Sequence, residues 1–122
     1  MDRQHDRLHC LIAQVYAGID AHNPTITRAA ITAFAQGAAD HFAFEAELMV
    51  STNFPGAREH MSDHRAIAVG VLQLVEALDA GQPPRATMDP TLTVWQAHHV
   101  GGMDQALAQH VLASEVADDF AG

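Results

Sequence analysis

The chain is short of cysteine, of basic residues and of long apolar runs, and each shortage removes a class of function. Cys10 is the single cysteine, so neither a disulfide framework nor a thiolate metal site can be assembled. Its place on a helical apolar stripe leads us to expect a buried, inert thiol. Six Lys and Arg stand against fifteen Asp and Glu, a formal net charge of -9. Nucleic acid and anionic membrane surfaces both need clustered cations, so neither is expected as a partner. No stretch approaches the roughly 18 uninterrupted apolar residues of a membrane span, which argues against membrane insertion. The opening Met1-Asp2-Arg3-Gln4-His5-Asp6-Arg7 has no apolar signal core, and a cytoplasmic location is expected from that. Alternating strand patterns, solenoid-period repeats and low-complexity segments are missing too.

What is present is helical. A chain of 122 residues with 48% hydrophobic residues is expected to form one domain, spanning 1–122, with a single core. Leu8, Leu11, Ile12, Val15, Tyr16 and Ile19 recur at three- and four-residue steps and mark a first helix over about 2–21. Asn23-Pro24 supplies an N-cap and a proline for the first helical position, opening a second helix over about 24–51. Ile26, Ala30, Ile31, Phe34, Ala38, His41, Phe42, Glu45, Leu48 and Met49 carry its inner face. Phe54-Pro55-Gly56 breaks it, and a third helix follows over about 56–79, before the loop Gly81-Gln82-Pro83-Pro84. Asp89-Pro90 is expected to open a fourth helix and Gly101-Gly102 to interrupt it, leaving a short final helix with Leu107, Val111 and Leu112. Long amphipathic helices with short connections predict an all-α, up-down-up-down four-helix bundle with a short C-terminal helix.

Seven donor side chains lie along these helices: His5, His41, Glu45, His60, His64, His99 and Asp104. His41 and Glu45, like His60 and His64, are four residues apart, one turn along a single helix face. A lone inward histidine is ordinarily a satisfied core residue. Donors spread over every helix of a bundle are different, because without a metal each unmet buried polar group would cost about 1–3 kcal/mol. Bundle-core metal sites are assembled this way, from facing side chains. A mixed nitrogen and oxygen set with no sulfur suits iron, whereas structural zinc favours thiolate.

The residues around these donors resemble the bacterial hemerythrin family over nearly the whole chain. Asp2-Arg3-Gln4-His5-Asp6-Arg7-Leu8 is similar to the family's D-x-Q-H-x-x-L, and His41-Phe42-x-x-Glu45, with Met49 four residues beyond, to its H-F-x-x-E. Phe54-Pro55-Gly56 followed by His60-x-x-x-His64 resembles the third segment. Trp95-x-x-x-His99-Val100-x-x-x-Asp104 resembles the W-x-x-x-H-[IV]-x-x-x-D signature. The resemblance implies two iron ions joined by Glu45, Asp104 and an oxo or hydroxo bridge. One iron would take His60, His64 and His99, and the other His5 and His41, leaving an open position for dioxygen. Five nitrogens, two bridging carboxylates and one bridging oxygen do indeed leave a gap on a pair of octahedral ions. The resemblance further implies reversible dioxygen binding in a dry pocket walled by Phe42, Met49, Gln96 and Val100, with no substrate turned over.

Two departures from the family lead to expectations of their own. His5 lies in the opening turn, where members usually carry a longer arm before it. Helix ends fray, so the iron it would share with His41 is expected to be held less tightly, with His9 as a conceivable substitute ligand. Gln96 stands where the family generally has leucine. An amide turned inward would donate to bound oxygen or admit water, and so hasten irreversible oxidation. Other polar residues are given plainer parts. His22, His98 and His110 are expected at the surface or facing outward, and Asp40, Glu47, Glu59 and Asp63 on a solvated face or behind the ligands. Phe34, Phe42, Phe44, Met49, Met61 and Met103 are expected in the core. Two other functions stay open at this stage: a di-iron enzyme with peroxidase or nitric-oxide-processing activity, and iron storage. An oxygen sensor fused or docked to a signalling or oxygen-using partner is a further form of the first reading.

Overall fold

The computed structural model describes the backbone of residues 2–121, with the side chains of residues 2, 93, 94, 96–98, 101 and 116–121 outside the description. Every regular element among the described residues is a helix: α1 (Asp2–Asp20), α2 (Pro24–Ser51), α3 (Ala57–Asp79), α4 (Arg85–Thr93), a π-helical stretch over Val94–Met103, and α5 (Asp104–Ala121). α1 packs along α2, α2 against α3, and α3 against α4. Short turns join these neighbours, so the chain runs up, down, up and down, with α5 as the C-terminal helix. No helix among the described residues is long and apolar enough to cross a membrane.

The first three helices stop by one device. In each, the residue after the cap takes a left-handed conformation: His22 (φ 51°), Asn53 (φ 52°) and Gly81 (φ 71°). Its N–H and the next one turn back onto the last carbonyls. His22 donates to Ile19 and Asn23 to Gly18, Asn53 to Val50 and Phe54 to Met49, and Gly81 to Leu78 and Gln82 to Ala77. These are Schellman closures, which satisfy carbonyls that would otherwise be orphaned. Asn23 then starts α2, its side-chain oxygen accepting from the Ile26 N–H at 3.1 Å ahead of Pro24. The turn is so tight that a Cβ on Gly18 would lie 2.5 Å from Thr27 Oγ1.

Two expectations about the fourth helix need correction. It begins at Arg85, not at Asp89-Pro90, and the Thr87 and Met88 N–H groups both donate to the Pro84 carbonyl. The earlier Pro83-Pro84 pair makes the start, and Pro90 is carried inside α4 on an exposed face. Gly101-Gly102 does not interrupt the helix either. The chain passes from α4 through the π-helical stretch into α5 without a break.

The main core is built by Leu8, Leu11, Ile12 and Val15 of α1, Ile31 and Phe34 of α2, Ile67, Val71 and Leu74 of α3, and Met88 and Trp95. Beyond it, at the α2–α3 end of the bundle, lie the polar donors, followed one turn further on by buried Met49 and Leu107. At the opposite end Arg85 pairs with Asp20 and lies over the Tyr16 ring, and Tyr16 donates to Asp89. Burial and that bond together push the Tyr16 hydroxyl up to about 12. Cys10 is exposed, which overturns the expectation of a buried thiol: two steps of about 100° from Leu8 carry it to the outer face. Phe44 is 39% exposed and likewise lies outside the core.

Candidate metal centre

Five elements deliver the donors to one level. The buried stripe of α2 runs Phe34, Ala38, His41, Glu45, Met49, in the three- and four-residue steps that keep one face inward. His60 and His64 occupy the corresponding face of α3 and are buried. His5 comes from the first turns of α1, with its side chain 14% exposed. His99 and Asp104 come from the π-helical stretch and the residue that follows it. In an α-helix, positions five apart point about 140° away from each other. The wider π turn, closed by i→i+5 bonds, brings His99 and Asp104 to the same side, and both are buried.

All seven side chains meet. Asp104 divides its oxygens between two groups of rings: Oδ2 lies 2.7 Å from His5 Nε2 and 3.5 Å from His41 Nε2, while Oδ1 lies 3.0 Å from His99 Nε2 and 3.2 Å from His60 Nε2. Glu45 Oε1 is approached by four ring nitrogens, from His41 at 3.0 Å, His64 at 3.1 Å, His99 at 3.3 Å and His60 at 3.4 Å. His5 Nε2 and His41 Nε2 face each other at 3.2 Å. Glu45, His60, His64 and His99 form one group able to hold a metal ion, and His41, Glu45, His99 and Asp104 another.

Two rings are braced from behind. His41 Nδ1–H donates to Gln4 Oε1, and His99 Nδ1–H donates to Asp63 Oδ2, each at 2.6 Å. A neutral imidazole has one N–H, and these bonds consume it. The Nε2 lone pairs of His41 and His99 are thereby turned toward carboxylate oxygens, which carry lone pairs of their own. Only an added proton or a cation can sit between them. Glu45 Oε2, His60 Nε2 and Asp104 Oδ1 are buried with no aligned hydrogen-bond partner. His60 Nε2 is close to two carboxylates without being directed at either. Orphaned atoms converging on a shared centre are what a metal-binding set leaves when protein partners alone are counted.

Electrostatics point the same way. Burial opposes charge on both carboxylates, yet the imidazoles around them hold Glu45 and Asp104 well below the usual range. Burial also opposes charge on His60 and His99, but the Asp104 and Glu45 carboxylates outweigh it and raise the two rings to about 9 and about 10. His41 is raised on the same balance. His64 is lowered, by burial first and then by His99 and His60 nearby, against the pull of Glu45.

Among the expected pocket residues, Phe42 is half-buried and stacks on His64, ring centroids 3.9 Å apart and planes at 14°. Met49 is buried, and Val100 is half-buried against the core. Trp95, with none of its surface exposed, stacks on His99 at 5.4 Å. Gln96 and His98, which the sequence places at a pocket wall and facing outward, have side chains outside the described residues. His9 and His22 are exposed, as are Asp40, Glu47 and Glu59. His110 is not a surface residue: it is half-buried, donates from Nε2 to the Thr52 carbonyl at 2.7 Å, and lies beside Phe54. Asp63, expected on a solvated face or behind the ligands, is buried behind His99; only the part of Gln4 as a brace was not expected. Its signal was available, since Gln4 adjoins His5.

The family model described as the hemerythrin HHE cation binding domain matches residues 1–114. A bacteriohemerythrin of Stenotrophomonas maltophilia (strain R551-3) is 26% identical over 113 residues, covering 93% of this chain and 74% of the relative. No solved structure matches the chain.

Proposed function

Because the chain belongs to the hemerythrin HHE cation binding domain family, we propose that its seven donors hold two iron ions and that the pair binds dioxygen reversibly. His60, His64 and His99 would hold one ion and His5 and His41 the other, with Glu45 and Asp104 placed to serve both. The observation that carries this reading is the division of Asp104: one oxygen faces His5 and His41, the other His60 and His99. The curated relative's name, bacteriohemerythrin, agrees with it.

When bound, the iron pair would supply two electrons and a place for a diatomic ligand to bind. The chain's own residues supply the rest. Gln4 and Asp63 fix the tautomers of His41 and His99, so that Nε2 is the donor on both rings. Phe42 and Trp95 press flat against His64 and His99 and hold those rings while excluding water. A histidine-rich set with few carboxylates favours reversible binding over oxygen activation.

Protein reduced and loaded with ferrous iron under argon should gain visible absorption when oxygen is admitted and lose it under vacuum, over repeated cycles. Failure to bind two irons, or a colour that does not reverse, counts against the proposal. Steady consumption of peroxide with an electron donor would instead favour the enzymatic reading.

A further inference from the structure

The two braced imidazoles lean on different chemistry. His41 Nδ1–H donates to the neutral amide oxygen of Gln4, and His99 Nδ1–H to the carboxylate of Asp63, at the same 2.6 Å. Asp63 is 8% exposed and reaches His99 across the gap from α3 to the π-helical stretch. The Nδ1 atoms of His60 and His64 are buried without a hydrogen-bond partner. Among the described residues, Asp63 is the one carboxylate seen behind the His60, His64 and His99 rings, and the support seen behind His41 carries no charge.

A carboxylate draws the Nδ1 proton more strongly than an amide does, and the ring becomes a stronger donor at Nε2. Burial sharpens the difference, since water does little to screen it. We propose that Asp63 makes the two halves of the site electronically unequal, as a positioning residue that stabilises ferric charge on the His60/His64/His99 side. This rests on the di-iron reading above. The contribution adds to any bias from the three rings on that side against two on the other. It gives the pair a built-in order: the first electron lost comes from the half that Asp63 backs, and the half holding His5 stays ferrous.

The test compares wild type, Asp63→Asn and Gln4→Glu, each loaded anaerobically with ferrous iron. Each is oxidised by one electron with ferricyanide, which is reduced to ferrocyanide. The readouts are iron per chain, the midpoint potential of the first oxidation and the electron paramagnetic resonance signal of the mixed-valence pair. Asparagine keeps an oxygen that can accept from His99, so a purely structural role predicts an unmoved potential. The proposal expects Asp63→Asn to lower the equilibrium constant for the first oxidation about tenfold, the scale of exchanging a charged hydrogen-bond partner for a neutral one. Gln4→Glu should raise it and alter the mixed-valence signal, because charge is drawn toward the other iron. Two irons bound with potentials unmoved in both variants would overturn the proposal alone. Should Asp63→Asn lose iron, an unmoved potential in Gln4→Glu is sufficient to overturn it. A wild type that holds no iron pair overturns the functional reading, and this proposal with it.

Discussion

Glu45 and Asp104 carry unequal loads at the scale of single residues. Asp104 offers a separate oxygen to each group of rings, while Glu45 presents one oxygen to four nitrogens and leaves the other buried without a partner. On the di-iron reading, removing the Asp104 carboxylate takes one oxygen from each ion and bears hardest on the His5/His41 side, which has only two rings, whereas removing Glu45 takes away the oxygen that four rings approach. We expect Asp104→Ala to bind about one iron per chain, and Glu45→Ala to bind less, with helical content retained in both, since most helical stability comes from the packed apolar face. Iron analysis beside far-ultraviolet circular dichroism checks this; two irons per chain in Asp104→Ala would contradict it. The convergence of the seven donor side chains was legible in the sequence because each lies on the inward side of a helix that could be phased from its neighbours. Residues needing an exact phase were not. Cys10 and Phe44 sit one step off a buried stripe, and His110 is half-buried because it meets Thr52, fifty-eight positions away in sequence, which no local pattern reports.

The bounds of α1, α2 and α3 were legible at the scale of elements, because Asn23-Pro24, Phe54-Pro55-Gly56 and Gly81 act locally on the backbone. The π-helical stretch was not legible. Gly101-Gly102 signals a break when only local propensity is weighed, and the wider turn, in which His99 and Asp104 are both buried, leaves no mark in the local pattern. Two glycines then make opposite predictions. At Gly102 an added Cβ meets nothing within 4 Å, so Gly102→Ala should raise thermal stability by about 0.5–1 kcal/mol through the unfolded chain. At Gly70 the same Cβ would lie 2.5 Å from Thr91 Oγ1, a short side chain that is tied to the Thr87 carbonyl at 3.0 Å. Gly70→Ala should cost about 1–3 kcal/mol, the usual size of overpacking. Thr91→Ala should recover much of that loss in the double variant, a coupling that urea titrations of the four proteins would measure. Additive effects would place the strain elsewhere.

The donor cluster links stability to pH and to metal at the scale of the whole molecule. Without metal, the Asp104 and Glu45 carboxylates hold His60 and His99 up at about 9 and about 10, above the ordinary histidine value of about 6.5. Their stabilising contribution is complete below that ordinary value and is lost as pH rises through 9 and 10. Glu45 and Asp104 are shifted downward, so theirs is present above the ordinary carboxylate range and is lost only as pH falls below it. Apoprotein stability should therefore be greatest near neutrality or slightly below and decline from pH 7 to pH 9. Iron held as proposed would replace the protons on His60 and His99, and His41 is raised as well, so loading at pH 7 should release at least about two protons per chain. A ligand whose binding releases protons binds more tightly as pH rises, and each tenfold gain in affinity adds about 1.4 kcal/mol to the loaded form. The melting temperatures of apo and ferrous protein, measured under argon from pH 6 to pH 9, should thus draw apart with pH, the apo curve falling while the loaded curve holds. A pH indicator in the anaerobic iron titration counts the protons directly. A constant gap with no proton release would mean that His60 and His99 are already neutral before metal arrives, and that the carboxylates do not hold charge on them.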